Sequence, residues 1–302
     1  MNTHSYEKIV RVSKARVGSV VDGKYRLEEF IGAGTSGAVY RATNTWVGRE
    51  VAVKLFHYEG NGTDNAMQRF VREAQAANRV RKEGRQHPNV VDALDVGRDG
   101  PTGLLFAVQE FLLGVTLERH LADLPGRRLP AGDAVLLLLP VIDAVACAHE
   151  AGVVHRDLKP ENIFLANTGS GDPVPKVLDF GIAQLSDARM TSSHELMGTP
   201  LYMAPEAFFG ASKLDARADV WALGVILFQM IAGEPPFNAA DNNPMSLITV
   251  LATQDPPSLA AMGLMNGTAW QVVLKCFARD PAERYPNARA FKEALDLLFE
   301  GV

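Results

Sequence analysis

Eleven consecutive residues constrain this chain more than any others: Val154-His155-Arg156-Asp157-Leu158-Lys159-Pro160-Glu161-Asn162-Ile163-Phe164. Eight of them pack a base, a cation and an amide into what reads as a loop. Asp179 lies seventeen residues after Asn162, within Lys176-Val177-Leu178-Asp179-Phe180-Gly181, and then comes Gly198-Thr199-Pro200-Leu201-Tyr202-Met203-Ala204-Pro205-Glu206. One such string can arise by accident. All three, in this order and at these separations, are not a credible accident.

The surrounding texture changes once along the chain. Residues 1–17 are mixed polar and basic and read as a loose arm or an added strand. Strands are expected over 25–31, 38–42, 50–56, 90–96 and 104–111, with one helix over 65–81, where Met67, Phe70, Val71, Ala74 and Ala77 recur at helical spacing. After Gly114 the pattern is mostly helical. Helices are expected over 131–152 (with Pro140 inside, which removes one backbone donor and should kink it), 216–232, 244–253, 270–278 and 287–299, while 153–185 reads as short strands and tight loops. Charge breaks at the same place. Residues 1–110 hold 16 Lys+Arg and 13 Asp+Glu, and the remaining 192 hold 14 and 22. The inserted-looking run Arg81-Lys82-Glu83-Gly84-Arg85 is basic and reads as a longer turn, with a docking loop as the alternative.

Composition excludes several classes. With 302 residues, 47% hydrophobic and 22% charged, the chain can bury a sizeable core and is neither disordered nor collagen-like. A net charge of −5 argues against an electrostatic nucleic-acid binder. No signal-peptide core occupies the first 17 residues. The longest nearly charge-free apolar stretch, 220–233, is too short to span a bilayer and reads as a core helix. Cys147 and Cys276 lie in apolar helical patterns and read as buried free thiols. No zinc spacing is present, and no remaining histidine has ligand spacing. A soluble, cytoplasmic protein with no membrane segment in this chain is the expectation.

The glycine cluster Ile31-Gly32-Ala33-Gly34-Thr35-Ser36-Gly37-Ala38-Val39 admits two phosphate-cradling readings. In a dinucleotide-binding fold such glycines open a helix. Here strand residues follow, so the reading is a Gly-rich hairpin whose small residues let backbone amides approach phosphate. Lys54 lies in the apolar strand Val51-Ala52-Val53-Lys54-Leu55-Phe56, where an unpaired ammonium is costly. Glu73 is its candidate partner and Glu83 a weaker one. Alone, Glu73 also fits a solvated helix face.

With these residues in place, the sequence resembles the eukaryotic-like (Hanks-type) protein kinase family, its serine/threonine branch in particular, over residues 24–300. The wording of Arg72-Glu73-Ala74-Gln75, of 111–117 and of 179–183 looks most like the bacterial members. The resemblance implies an α+β, protein-kinase-like two-lobed fold. Its kinase domain would cover 18–302: a small β-rich N-lobe with one main helix over about 18–110, a hinge at about 109–114, and a larger, mostly helical C-lobe over about 115–302, with a nucleotide cleft shared by the lobes. It further implies ATP and Mg2+ (Mn2+ as a substitute) and protein substrates phosphorylated on serine or threonine.

Site roles follow from the same resemblance. Phosphoryl transfer leaves a protein mostly positioning and electrostatics. The hairpin from Ile31 to Val39 would cover the phosphates with Gly32, Gly34 and Gly37. Lys54, held by Glu73, would bind the α- and β-phosphates. Val39 and Ala52 would roof the adenine and Phe164 floor it, with Gln109, Glu110 and Leu112 at its edge. Asp157 would accept the substrate hydroxyl proton, Lys159 would neutralise the moving phosphoryl group, and Asn162 and Asp179 would bind magnesium. Metal-only readings of the last three carboxylate and amide residues leave the glycines and Lys54 unexplained. Thr199 would bond toward Asp157 and Lys159. Asp219 would hold the catalytic-loop backbone, Glu206 would pair with Arg284, and His155 would be a packed core histidine.

Arg156 beside Asp157 usually goes with control by activation-segment phosphorylation, because the guanidinium needs an anion. Thr191, Ser192 and Ser193 are the available hydroxyls, and autophosphorylation there fits a transient homodimer. Glu195 either partly replaces that phosphate against Arg156 or is a solvated loop carboxylate; Gln184 stands where a second basic residue often helps. Two other functions compete: a pseudokinase scaffold, which would show a lesion among Lys54, Glu73, Asp157, Asn162 or Asp179, and a small-molecule phosphotransferase, which would lack the Gly198-Thr199-Pro200 and Ala204-Pro205-Glu206 segment.

Overall fold

Alternation of apolar and polar side chains builds the first half of the chain into a sheet. The structure, a computed structural model, describes residues 3–34, 37–56, 79–169, 171–180, 200–208, 214–239 and 243–299. They fall into two units. The first holds, of the described residues, 3–34, 37–56 and 91–113; the second holds 79–90 and those from 114 onward.

In the first unit, strands β1 (Val20–Val21), β2 (Tyr25–Ala33), β3 (Gly37–Asn44) and β4 (Arg49–Phe56) pair in turn, followed by β8 (Leu105–Glu110) and then β7 (Ala93–Arg98), every pair antiparallel. One face carries Leu27, Tyr40, Val53, Leu55, Phe106 and Val108, all buried in one apolar cluster. Side chains alternate along each strand, so Val39, Ala52, Lys54 and Gln109 occupy the other, half-buried face.

The N-terminal residues correct the sequence reading. They form neither a loose arm nor a strand but helix α1 (Thr3–Lys14). Ile9, Val10 and Ser13 share one helical face turned inward, and the buried Tyr40 hydroxyl donates to the Ser13 carbonyl at 2.9 Å.

The second unit also differs from the expected lobe boundary, because residues 79–90 belong to it rather than to an N-lobe running to 110. The basic run is a turn, as the sequence favoured. Strands β5 (Arg81–Lys82) and β6 (Arg85–Gln86) flank Glu83 and Gly84, both at positive φ (53° and 78°), the backbone that a tight two-residue hairpin requires. Lys82 and His87 reach Asp143 at 2.7 and 3.2 Å, which ties the segment to this unit. The helix expected over 65–81 falls largely on residues outside those described, and Arg81 itself lies in β5.

The rest is mainly helical: α2 (Leu117–Asp123), α3 (Ala131–Glu150), α4 (Pro205–Phe208), α5 (Ala216–Ala232), α6 (Pro244–Thr253), α7 (Gly267–Leu274) and α8 (Ala288–Phe299). A small sheet of β9 (Gly114–Thr116), β10 (Ile163–Ala166) and β11 (Val174–Val177) runs in the order β11-β10-β9. Helix α3 continues unbroken through Pro140. By length and composition it is apolar enough to cross a membrane, which the shorter stretch at 220–233 is not, yet 61% of its apolar window is buried against its own unit. It therefore reads as a core helix. Helix α5 is buried nearly all round, from Ala218 to Ile231, and Trp221 stacks on Phe237 at 5.4 Å. Cys147 and Cys276 are buried free thiols.

Candidate active site

The glycine hairpin is built by departures from regular pairing. Strand β2 shifts register between Phe30 and Gly32, and Gly34 N–H donates to the Gly37 carbonyl at 2.8 Å to close the turn. Gly37 is buried, and a Cβ there would collide with the Leu55 carbonyl, so the close approach of β3 to β4 needs glycine. Thr35 and Ser36 lie outside the described residues.

Val39 faces Lys54 directly across β3 and β4, and Ala52 faces Gln109 across β4 and β8. These four therefore share the half-buried face. Lys54 Nζ stands 5.4 Å from the Phe56 ring centre, a cation–π distance. Glu73 lies outside the described residues, so the expected pair has no geometry here. Glu110 ends β8 with its amide donating to the Asp92 carbonyl and its carboxylate accepting the Asp92 amide, both at 3.0 Å. Leu112 follows at the passage between units, and Ile31 is exposed.

In the second unit the loop after α3 is organised around a buried carboxylate. Asp219, 1% exposed on α5, accepts the backbone N–H of His155 and of Arg156, each at 2.8 Å, and meets His149 Nε2 at 2.9 Å. Burial alone would raise its pKa. The His149 hydrogen bond, the nearby histidines and the His155 amide outweigh that and hold it below the ordinary aspartate value. Arg156, clamped this way, takes a left-handed φ of 68°.

His155 spends both ring nitrogens on backbone. Nε2 donates to the Leu178 carbonyl at 2.8 Å, Nδ1 accepts the Asp157 amide at 3.3 Å, and Phe180 packs edge-on at 4.8 Å. That is a packed core histidine with no proton to offer a substrate. Asn162 N–H and carbonyl hold the loop closed, the carbonyl accepting from Leu178 at 2.9 Å. Asp179, next in the chain, sits at φ 56°.

Three predicted residues converge. Lys159 Nζ donates to both oxygens of Asp157 at 2.9 and 2.8 Å, and Asn162 Nδ2 donates to the Asp157 carbonyl at 2.7 Å and its carboxylate at 3.0 Å. With its side-chain nitrogen committed, Asn162 presents its side-chain Oδ1, which, like the Asp179 carboxylate, is the type of ligand atom a hard divalent cation takes. Phe164 lies on β10 opposite Thr116, half-buried. Gly114 sits at φ +144° against the Leu165 carbonyl, which fixes how β9 enters this sheet. The expected Glu206–Arg284 pair is present and bidentate, at 2.7 and 2.8 Å. Thr191, Ser192, Ser193, Glu195, Gln184 and Thr199 lie outside the described residues.

Sequence reasoning missed two features. One is His149, the third donor to Asp219; nothing in its local pattern marks it. The other is a cluster that linear spacing hides: His87, Asp143 and Cys147 bring ligand-type atoms within 4.8 Å of one another. Cations already fill it. Lys82 and Arg289 hold Asp143 at 2.7 and 2.8 Å, and His87 Nδ1 accepts the Asn89 amide, leaving Nε2 to donate to the carboxylate. This is an ion network, not a metal centre.

Known proteins fit this geometry. Serine/threonine-protein kinase Pkn1 of Myxococcus xanthus is 38% identical over 277 residues, covering 91% of this chain and 38% of that protein. The probable serine/threonine-protein kinase PknB of Corynebacterium glutamicum is 35% identical over 280 residues, covering 89% and 41%. The chain thus spans less than half the length of these two relatives. The crystal structure of the Mycobacterium tuberculosis PknI kinase domain matches with a TM-score of 0.71 at 28% identity, covering 93% of this chain and 98% of that one. A family model of the protein kinase domain matches residues 25–295, nearly the whole sequence, and the chain belongs to that family.

Proposed function

We propose that this chain is the catalytic module of a serine/threonine protein kinase, transferring the γ-phosphoryl group of ATP to serine or threonine hydroxyls of protein substrates. The observation that carries the reading is the convergence of Lys159 and Asn162 on Asp157, in a loop whose backbone is clamped by Asp219. Asp157 accepts the proton of the attacking hydroxyl. Lys159 moves from Asp157 to the transferring group's charge. The face carrying Val39, Ala52 and Gln109 receives adenine, the glycine hairpin covers the phosphates, and Lys54, held by Glu73, binds the α- and β-phosphates. Asn162 and Asp179 hold Mg2+, which when bound neutralises phosphate charge. The reading extends to regulation: autophosphorylation at Thr191, Ser192 or Ser193 facing Arg156, in a transient homodimer, with Glu195 as a partial phosphate substitute. Two buried free thiols suit a reducing compartment such as the cytoplasm.

The test is incorporation of γ-labelled phosphate from ATP and magnesium into the chain itself and into a serine- and threonine-containing peptide. Asp157→Asn should lower the rate by about two to four orders of magnitude, the usual worth of a general base. Phosphoamino-acid analysis should return phosphoserine or phosphothreonine. Equal labelling by wild type and Asp157→Asn would sink the assignment.

A further inference from the structure

One deeply buried polar contact of the second unit lies outside the residues that would touch ATP or substrate. His149, 3% exposed at the end of α3, faces Asp219, 1% exposed on α5. Its other nitrogen, Nδ1, meets the backbone N–H of Ala288, the first residue of α8, at 3.1 Å. An amide N–H only donates. Nδ1 therefore carries a lone pair, and the ring proton sits on Nε2, pointing at the Asp219 carboxylate 2.9 Å away. Were the proton on Nδ1, it would face the Ala288 N–H, and two lone pairs would face each other at Asp219.

The same first turn of α8 is fastened to α3 on either side of His149. Arg289 donates from Nη1 to Asp143 at 2.8 Å and from Nε to Glu150 at 2.9 Å, both carboxylates being on α3. Asn287 caps the helix by accepting the Ala290 amide at 3.0 Å. The turn thus holds the Ala288 amide in place, the amide selects the tautomer, and the tautomer supplies Asp219 with its third donor. The remaining lone pairs of Asp219 hold the His155 and Arg156 amides, two residues and one residue before Asp157.

We propose that His149 is a positioning residue for phosphoryl transfer, its tautomer set from outside the site by the first turn of α8. This rests on the kinase reading above. Asp219 without the third donor is a buried carboxylate held only by the two loop amides, so any shift in its position shifts them. The cost falls on the placement of Asp157 rather than on nucleotide binding.

Two measurements on the full chain test this. Imidazole 15N shifts should show His149 protonated at Nε2 and bare at Nδ1; the opposite tautomer overturns the inference. In kinetics normalised to the folded fraction, His149→Leu should lower kcat about ten- to a hundredfold, as loss of a hydrogen bond to a buried charge would, with KM for ATP within about twofold. His149→Gln, which keeps a donor and an acceptor, should stay within about threefold of wild type. Equal losses for Leu and Gln, or a loss accounted for by unfolded protein, overturns the inference. Arg289→Ala should move the His149 shifts and lower kcat, with Arg289→Lys intermediate; unchanged shifts and rate in Arg289→Ala overturn the role of α8. The kinase reading fails separately, by a wild-type chain no more active than Asp157→Asn, and the 15N shifts then judge the tautomer alone.

Discussion

Asp219 gathers three hydrogen-bond donors and is 1% exposed. An asparagine there has the same shape but only one acceptor oxygen, and its amide group would have to point at another N–H. Leaving buried donors unsatisfied costs about 1–3 kcal/mol. Asp219→Asn should therefore lose about 2–3 kcal/mol in urea unfolding and most of its phosphoryl-transfer rate. A variant as stable as wild type would refute the clamp. Asp157, Lys159 and Asn162 could be read from the sequence because the loop that carries them is one short string. His149 could not: its partners are Asp219, 70 residues on, and Ala288, 139 residues on. A role made wholly of distant contacts leaves no local spacing.

Among elements, helix α5 shows what the chain's periodicity can and cannot reveal. Its bounds, 216–232, are those that the sequence implies, because an apolar run that long between Asp215 as N-cap and Gly233 at φ 91° has one good conformation. Its packing is less legible. A Cβ on Gly224 would stand 2.6 Å from Cys276 Cβ and 3.2 Å from Phe277, so α5 meets the 275–277 turn there with no room for a methyl. Gly224→Ala should destabilise by about 1–3 kcal/mol from overpacking, outweighing the roughly 1 kcal/mol helix-propensity gain. Gly132→Ala on α3, with nothing within 4 Å, should show the gain alone. Melting temperatures that rise together would refute the close contact. Helix α1 escaped the sequence reading for a related reason: it is fastened by contacts to distant strands, such as the Tyr40 hydroxyl on the Ser13 carbonyl, 27 residues apart.

Across the whole molecule, hydrogen-bonded carboxylates, from the buried Asp219 to the exposed Asp215, dictate the response to acid. Asp95 and Asp99 in the first unit, and Asp143, Asp215 and Asp219 in the second, all sit below the ordinary aspartate value of 3.8. For Asp143, burial pushes the pKa up, but hydrogen bonds from Lys82, Arg289 and His87 more than reverse it. A depressed folded pKa means that the unfolded chain binds protons first as pH falls. The stabilisation is therefore complete above about pH 5 and is lost through and below 3.8. His87 acts in the same direction at higher pH: burial lowers its pKa below 6.5, so unfolding gains a proton there and stability declines as pH falls past 6.5. Unfolding free energy should therefore hold steady from pH 8 to 7, dip slightly near 6 and drop steeply below 4. Asp143→Asn isolates one contribution. It should be less stable than wild type at pH 7, because Lys82 and Arg289 lose a buried counter-charge, and the gap should narrow as pH falls through 3.8 towards 2, because the unfolded wild-type chain takes up a proton there that the folded carboxylate, its pKa held low, still refuses. Urea midpoints at pH 7, 4 and 2 check this. A gap that stays constant across that range would mean that Asp143 stabilises the unit by shape and hydrogen bonding rather than by charge.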